Sequence, residues 1–476
     1  FVASETLRQR YGLDRGFEVY DDSGLSRRGQ GDWMAPCRDG KEVTGAFLKY
    51  LGALPPDQKA AVWVHYFDLH LPYAARPAFD KRYPKDPYAA QAAFVDGQVG
   101  RLVKALRADR GRAWRIVVVG DHGEGLGEKG EDTHGIGLYR ATLHVPLVIH
   151  PKPQTPVRLA KPWGLVDLSP TVREWFGLAA APKSDGTSLF QNGRQNNALF
   201  VLSVEPALLF GVEPSLGVRQ GRLLYLKGGR EELFDQSSDP GQVQNLAAKP
   251  DFLRDLERLR ALCDRTWRPG WLFENLAPAM SPSAEELKNL QSLGYIAGMA
   301  PARNRTRNAD IREVMKDRSE WDRGREEAYR SGKSEGLLAT YARLVAKYPT
   351  SLSLRNWYGP LLSRAGRTQE AIKQLEEAVR LYPEDSTSLS NLGALYLQAG
   401  RFEAARNFLT AAIERDPNNW RAHKQLGILF ADHLKRPKEA VAHYQKYLSL
   451  GGDADAETVR AYIRNYAKPP RGGGSK

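Results

Sequence analysis

Three sets of small or ring-constrained residues recur at one fixed interval near the end of this chain, and no other feature narrows its architecture as much. Gly359, Gly393 and Gly427 stand 34 residues apart; Gly332, Gly366 and Gly400 keep the same interval, and so do Pro349, Pro383 and Pro417. Ala371 with Ala405, and Ala378 with Ala412, follow it too. The residues between them pattern as helix throughout. A small residue where two helices cross, and a proline just past the second helix, describe a repeated helix–turn–helix unit. A single unit of that kind cannot bury its apolar face, so successive units stack into a solenoid.

The segment Asn391-Leu-Gly-Ala-Leu-Tyr-Leu-Gln-Ala-Gly-Arg-Phe-Glu-Ala-Ala405 resembles the tetratricopeptide-repeat (TPR) family almost position by position. Two repeats follow the pattern closely. A third carries one inserted residue, with Glu439-Ala440 where Ala404-Ala405 stood, and a degenerate one precedes Pro349. The resemblance implies an all-α solenoid over residues 317–468 whose concave surface takes a protein partner or self-associates. Residues 297–316 have the composition of a linker, and 469–476 that of a flexible tail.

The whole chain has 476 residues, which calls for two or three domains. Its net charge of +13 favours anionic partners. Lys and Arg are interleaved with Asp and Glu almost everywhere, however, so no basic stripe points to nucleic acid and most of the charge reads as solvated surface. Cys37 and Cys263 are the two cysteines, which excludes a disulfide framework and leaves the redox compartment open. No apolar run reaches the length of a membrane span. Ahead of the repeats, apolar β-rich runs at 61–66, 115–119 and 145–149 predict buried strands, with a helix over about 87–107 between the first two. Continuous Val and Ile runs alternating with helix suit a sheet covered on both faces. Residues 198–235 break into short strands separated by Gly and Pro, which predicts an antiparallel subdomain.

The run Val119-Gly-Asp-His-Gly-Glu-Gly-Leu-Gly-Glu128 follows a predicted strand directly. Asp121 and His122 there offer a carboxylate oxygen and an imidazole nitrogen, both good ligands for a divalent cation, in a glycine-rich turn that lets backbone approach a ligand closely. By themselves they fit an ordinary turn equally well. Taken with Thr133-His134-Gly135, Leu138-Tyr139 and Arg140-Ala-Thr-Leu-His-Val-Pro-Leu-Val-Ile149, the segment resembles the metal-binding region of the sulfatases, a branch of the alkaline phosphatase superfamily. Tyr66-Phe-Asp-Leu-His-Leu-Pro-Tyr73 upstream, and Val166-Asp-Leu-Ser-Pro-Thr171, Asp185-Gly-Thr-Ser-Leu189 and Glu232-Leu-Phe-Asp235 downstream, are similar to further landmarks of that family in the expected order.

The resemblance spans residues 1–296. It implies an α/β sulfatase-like sandwich, with a mixed sheet flanked by helices and a small antiparallel C-terminal subdomain, ahead of the TPR solenoid. It makes Asp121 and His122 metal ligands and places His70 and His134 beside the sulfate group as catalytic residues. The implied cofactor is one divalent cation, calcium as first choice, with manganese, magnesium or zinc open because of the imidazole. His65 reads as a packed core residue, His144 and His150 as structural, and Asp68 as a loop-ordering group. Glu124 is suited either to orienting a ligating side chain or to stabilising the turn.

The family nucleophile, a cysteine matured to formylglycine or a serine, lies upstream of everything in this sequence, as does a pair of metal-binding aspartates. Cys37, in Ala-Pro-Cys-Arg-Asp-Gly, lacks the family's Pro two residues on and sits in the wrong place for that role. The expectation is therefore a domain that starts midway, with its nucleophile before Phe1. The implied activity is sulfate-ester hydrolysis by a metal-assisted covalent mechanism in the complete protein, on an anionic substrate, in a periplasmic, extracellular or membrane-anchored setting. The alternatives are a phosphodiester or phosphonate monoester hydrolase or phosphoryl transferase of the same superfamily, and an inactive TPR interaction protein.

Overall fold

The computed structural model describes residues 1–4, 7–9, 12–25, 37–71, 73–150, 162–179, 184–191, 198–267, 309–450 and 455–466. By packing, the chain divides into two compact units, one of residues 1–120, 146–155 and 288–295, the other of 121–145, 156–287 and 296–476.

In the first unit, helix α1 (Gly40–Ala53) is capped by Asp39, whose side chain accepts from the Lys41 N–H, and buries Val43, Thr44 and Phe47. After the short α2 (Pro77–Asp80), helix α3 (Pro87–Ala108) starts at Asp86, which accepts from Ala89 N, and has Pro at its first position, where no donor is lost. It agrees with the predicted helix to within a residue. Strand β1 (Ile116–Val119) pairs antiparallel with β2 (Leu147–His150), Val118 opposite Val148. The run at 61–66 does not form the expected strand. It lies beside residues 1–3, joined by Phe1 N–H to Trp63 O and His65 N–H to Phe1 O, both 2.9 Å, which is too short a ladder to count as one.

The second unit is organised around an antiparallel sheet where the antiparallel subdomain was expected. It comprises β3 (Ala198–Ser203), β4 (Ser215–Gln220), β5 (Leu223–Gly228) and β6 (Arg230–Asp235), each hydrogen-bonded to the next. Both sheets among the described residues are antiparallel. Ahead of it in sequence come α4 (Arg140–Leu143) and α5 (Leu168–Trp175), and α6 (Glu205–Phe210) sits between β3 and β4. The side chains of β5 alternate strictly. Leu223 and Tyr225 point to a core shared with α7 (Leu253–Thr266), while Leu224 and Leu226 point to a second core on the other face. That second face is covered by Ile136, Leu138 and Tyr139 and by α8 (Ile311–Ser331) through Ile311, Val314 and Met315.

Helix α8 therefore starts inside the stretch expected to be a linker. Residues 311–316 carry an apolar stripe that the sheet's second face needs; residues 297–308 of the expected linker and the tail from 469 lie outside the described residues. From α8 the chain runs through α9 (Glu335–Lys347), α10 (Leu352–Arg364), α11 (Thr368–Leu381), α12 (Ser386–Gln398), α13 (Phe402–Arg415), α14 (Trp420–Ile428), α15 (Pro437–Ser449) and α16 (Ala456–Tyr466). The 34-residue glycines mark crossings within helix pairs: a Cβ at Gly359 or Gly393 would fall 2.8 or 2.7 Å from Leu375 or Leu409.

The inserted residue of the last repeat has a clear structural home. Gly366 and Gly400 close their helices in the left-handed conformation, and Arg367 and Arg401 then donate five residues back, to Leu362 O and Tyr396 O. In the last repeat a π-helical turn, Leu429–His433, takes up one extra residue. The closing bond consequently reaches six residues back, from Arg436 N to Phe430 O. The left-handed position falls on Lys435 (φ 54°) instead of a glycine. A lysine there is strained by its Cβ, roughly 1–2 kcal/mol, against a smaller entropic cost for glycine. Lys435→Gly is expected to stabilise the array by about 0.5–1 kcal/mol, read as a rise in the denaturant midpoint followed by circular dichroism; an unchanged or lower midpoint would show that the lysine is unstrained.

Candidate functional site

The loop from Asp121 to Val145 folds on itself through backbone bonds from Gly123 N to Thr142 O (2.8 Å), Gly125 N to Thr133 O (2.8 Å) and Gly127 N to Glu131 O (2.9 Å). Glycine is required for the first two. A Cβ at Gly123 would run into the Ala141 carbonyl, and one at Gly125 would lie 2.5 Å from Thr133 O. The loop's double turn therefore brings His134 back against His122, their ring centroids 4.0 Å apart.

Asp121 and His122 are arranged as a pair of donors. Asp121 Oδ1 accepts from the His122 backbone N–H (2.9 Å), and His122 Nδ1 donates to Gly123 O (2.8 Å). Those bonds fix the tautomer and leave Oδ2 and Nε2 facing each other, 3.8 Å apart. One cation bonding each at about 2.0–2.6 Å fits that separation. The two supply only part of a coordination shell, and among the described residues no group of three or more His, Cys, Asp and Glu side chains converges as a metal site.

His134 is held differently. Its Nδ1 lies 3.1 Å from Glu124 Oε1, and the Glu124 side chain is 6% exposed. The carboxylate requires Nδ1 to carry the hydrogen, which leaves Nε2 as the nitrogen that exchanges a proton. Burial pushes the ring towards neutrality. The hydrogen bond and charge of Glu124, backed by Glu205, outweigh both burial and Arg318, and hold the ring's pKa above its ordinary value of 6.5. Thus Glu124 takes the orienting role, directed at His134.

His70 belongs to the first unit. Its ring stacks on Phe67 at 4.5 Å, and its Nδ1 donates to Leu71 O at 2.5 Å. Nearby, Asp68 is fully buried, pairs with Arg76 at 2.5 Å and accepts from Gly40 N, as suits a loop-ordering group. Cys37 and Cys263 are both buried, and burial pushes the Cys263 thiol up to about 11, away from nucleophilic use.

Three groups around His134 were not singled out by sequence: Glu131, Glu205 and Arg318. Glu131 shares the loop, three residues before His134, but Glu205 and Arg318 are joined to it only by folding. Glu131 Oε1 accepts from both Ile136 N and Gly137 N at 3.0 Å. Burial nonetheless pushes its carboxyl up to about 7, with Glu205 adding to the rise and the two N–H bonds opposing it. A folded-state value above the unfolded 4.5 means that the folded protein binds the proton more tightly, so this contribution is full below pH 4.5 and is lost as pH rises through about 7. Stability should therefore fall between about pH 5 and pH 8, by at most about 3 kcal/mol. Glu131→Gln keeps the acceptor, and it should flatten that slope in denaturation curves taken across the range; an identical slope in the variant would assign the pH dependence elsewhere.

A family model described as Sulfatase matches residues 15–178, and two tetratricopeptide-repeat models match residues 326–386 and 362–427. The delta 4,5-hexuronate-2-O-sulfatase of Bacteroides thetaiotaomicron is 29% identical over 184 residues, covering 36% of this chain and 38% of that protein. The choline-sulfatase of Rhizobium meliloti is 28% identical over 185 residues, covering 37% and 36%. The chain thus spans under two-fifths of the length of these curated relatives. Among solved structures, that of Ps i-CgsB in complex with k-i-k-neocarrahexaose is similar with a TM-score of 0.42 and 19% identity, over 54% of this chain and 60% of that one. This chain joins a sulfatase-family domain at residues 15–178 to tetratricopeptide repeats at residues 326–427.

Proposed function

We propose that the protein hydrolyses sulfate esters, with Asp121 and His122 holding a divalent cation and His134 serving as the acid. The observation that carries this reading is the pairing of the two exposed donors with a buried, Glu124-held imidazole in one glycine-rich loop of the sulfatase-family segment. Expulsion of an alkoxide from a sulfate ester leaves negative charge on the departing oxygen and on the sulfuryl oxygens. A divalent cation, calcium by family resemblance, supplies positive charge to the sulfuryl oxygens when bound. Glu124 keeps the His134 ring protonated and aimed, and Nε2–H delivers its proton to the leaving oxygen. His70 is assigned to the sulfate group by the family resemblance. The helical repeats are proposed to bind a protein partner. Support comes from a pocket of about 180 Å³ between α12 and α14, lined by Asn391, Trp420, Arg421 and Lys424 among others.

Two measurements on the full-length protein test this. His134→Ala should slow alkyl sulfates by about 10²–10⁴, and activated aryl sulfates, whose leaving groups need little protonation, much less. Equal losses on both would exclude the acid role. Asp121→Ala should abolish both turnover and bound divalent metal, measured by elemental analysis; unchanged metal stoichiometry would remove Asp121 from the ligand set.

A further inference from the structure

The loop that carries His134 is not held by the sulfatase-family segment alone. Helix α8, the leading helix of the repeat array, lies along it and bonds to it at several points. Ser319 Oγ accepts from Asp132 N (3.0 Å) and donates to Gly130 O (3.2 Å). Arg323 pairs with the Asp132 carboxylate. Below these, Met315 and Val314 are fully buried in the cluster that includes Ile136 and Leu138. At the helix start, Arg312 pairs with Glu232, which in turn accepts from the Tyr139 hydroxyl at 2.5 Å.

The closest approach to His134 runs through Arg318. Its guanidinium pairs with Glu205 and, at 2.6 Å, with Asp322. Glu205 sits against Gly135, the residue after His134: any Cβ at Gly135 would overlap its carboxylate, and Gly135 itself has φ 101°, a conformation that disfavours other residues. The neighbouring Ser203 hydroxyl donates to Gly135 O. Position 135 is thereby pinned from two sides, and Arg318 fixes one of the pins.

The opposite side of α8 is equally tied. Asp317 accepts from Tyr348 (2.6 Å) and Arg343 (2.7 Å) of the α9 region and pairs with Lys347 at 2.7 Å. Trp321 stacks on Trp357 of α10, their centroids 5.0 Å apart. Helix α8 is thus bonded to the loop on one side and to the first repeats on the other.

We propose that α8 is a brace for the catalytic loop, and that Arg318 and Ser319, residues of the repeat region, are positioning residues for His134. The brace deepens the sulfatase reading, on which it rests for what His134 does. The contacts that define it do not depend on that reading.

The test is amide hydrogen exchange on the full-length protein, with Arg318→Ala, Arg318→Lys and Ser319→Ala compared with the unaltered chain. Losing one of these bonds should speed exchange roughly tenfold at Gly125, Asp132, Ile136 and Gly137. Amides in α12–α15 should keep their rates, and Arg318→Lys, which retains the charge opposite Glu205, should restore part of the loop's protection. A general loss of folding would instead accelerate every amide. Unchanged loop exchange in folded Arg318→Ala overturns the brace; should that variant fail to fold, unchanged exchange in Ser319→Ala overturns it instead. In parallel, both alanine variants should lower kcat for an alkyl sulfate at least fivefold while KM stays within about twofold. Absence of turnover in the unaltered protein would sink the sulfatase reading, and the exchange rates would still decide the brace.

Discussion

The sheet β3–β6 is apolar on both faces, and that single constraint organises the larger unit. A four-stranded antiparallel sheet with one wet face would show polar residues at alternate positions; β5 instead reads Leu-Leu-Tyr-Leu, all buried. One face is answered by α7. The other needs a second layer, and it is made jointly by residues 136–139 and by α8. The one charged side chain buried on that second face of β6, Glu232 at 2% exposure, is tolerated because Tyr139 and Arg312 meet both its oxygens. Loop, sheet and first repeat helix thus solve one burial problem together.

Around His134 the same logic appears in electrostatic form. Three carboxylates, Glu124, Glu131 and Glu205, gather near one imidazole with Arg318 as the fixed cation. Glu124 raises the pKa of the His134 ring, whereas burial pushes the Glu131 carboxyl up to about 7. The exposed Asp121–His122 pair, about a dozen residues away in sequence, has no comparable burial.

Much of this was legible from residues alone. The 34-residue period located the helix crossings because a Cβ at Gly359 or Gly393 would fall 2.7–2.8 Å from a leucine, and one at Gly427 would run into the Tyr444 ring. The alternation in 198–235 located the antiparallel sheet, and the glycines around Asp121-His122 located the loop. What failed did so for physical reasons. The run at 61–66 has strand composition, but a strand is defined by its neighbours, and its described backbone bonds reach only as far as Phe1. The start of α8 looked like linker because its apolar residues answer a sheet some 80 positions earlier. Arg318 and Glu205 lie 113 residues apart, and no local pattern announces a pair at that distance. The inserted residue of the third repeat was legible as well, and it moves the left-handed position onto Lys435, off the glycine register.

The joint covering of the sheet also has a temporal side. Arg312 follows Glu232 by 80 residues, so on a ribosome adding roughly 5–20 residues per second the second face of the sheet waits roughly 4–16 s for its cover. During that interval Leu224, Leu226 and Phe234 form a ready-made sticky surface on the nascent chain. Strands β3 and β6 meanwhile stand as open edges of the sheet. The helix that completes the loop is thus made well after the sheet it covers, and the sheet's exposure to aggregation is concentrated in the seconds before that helix arrives.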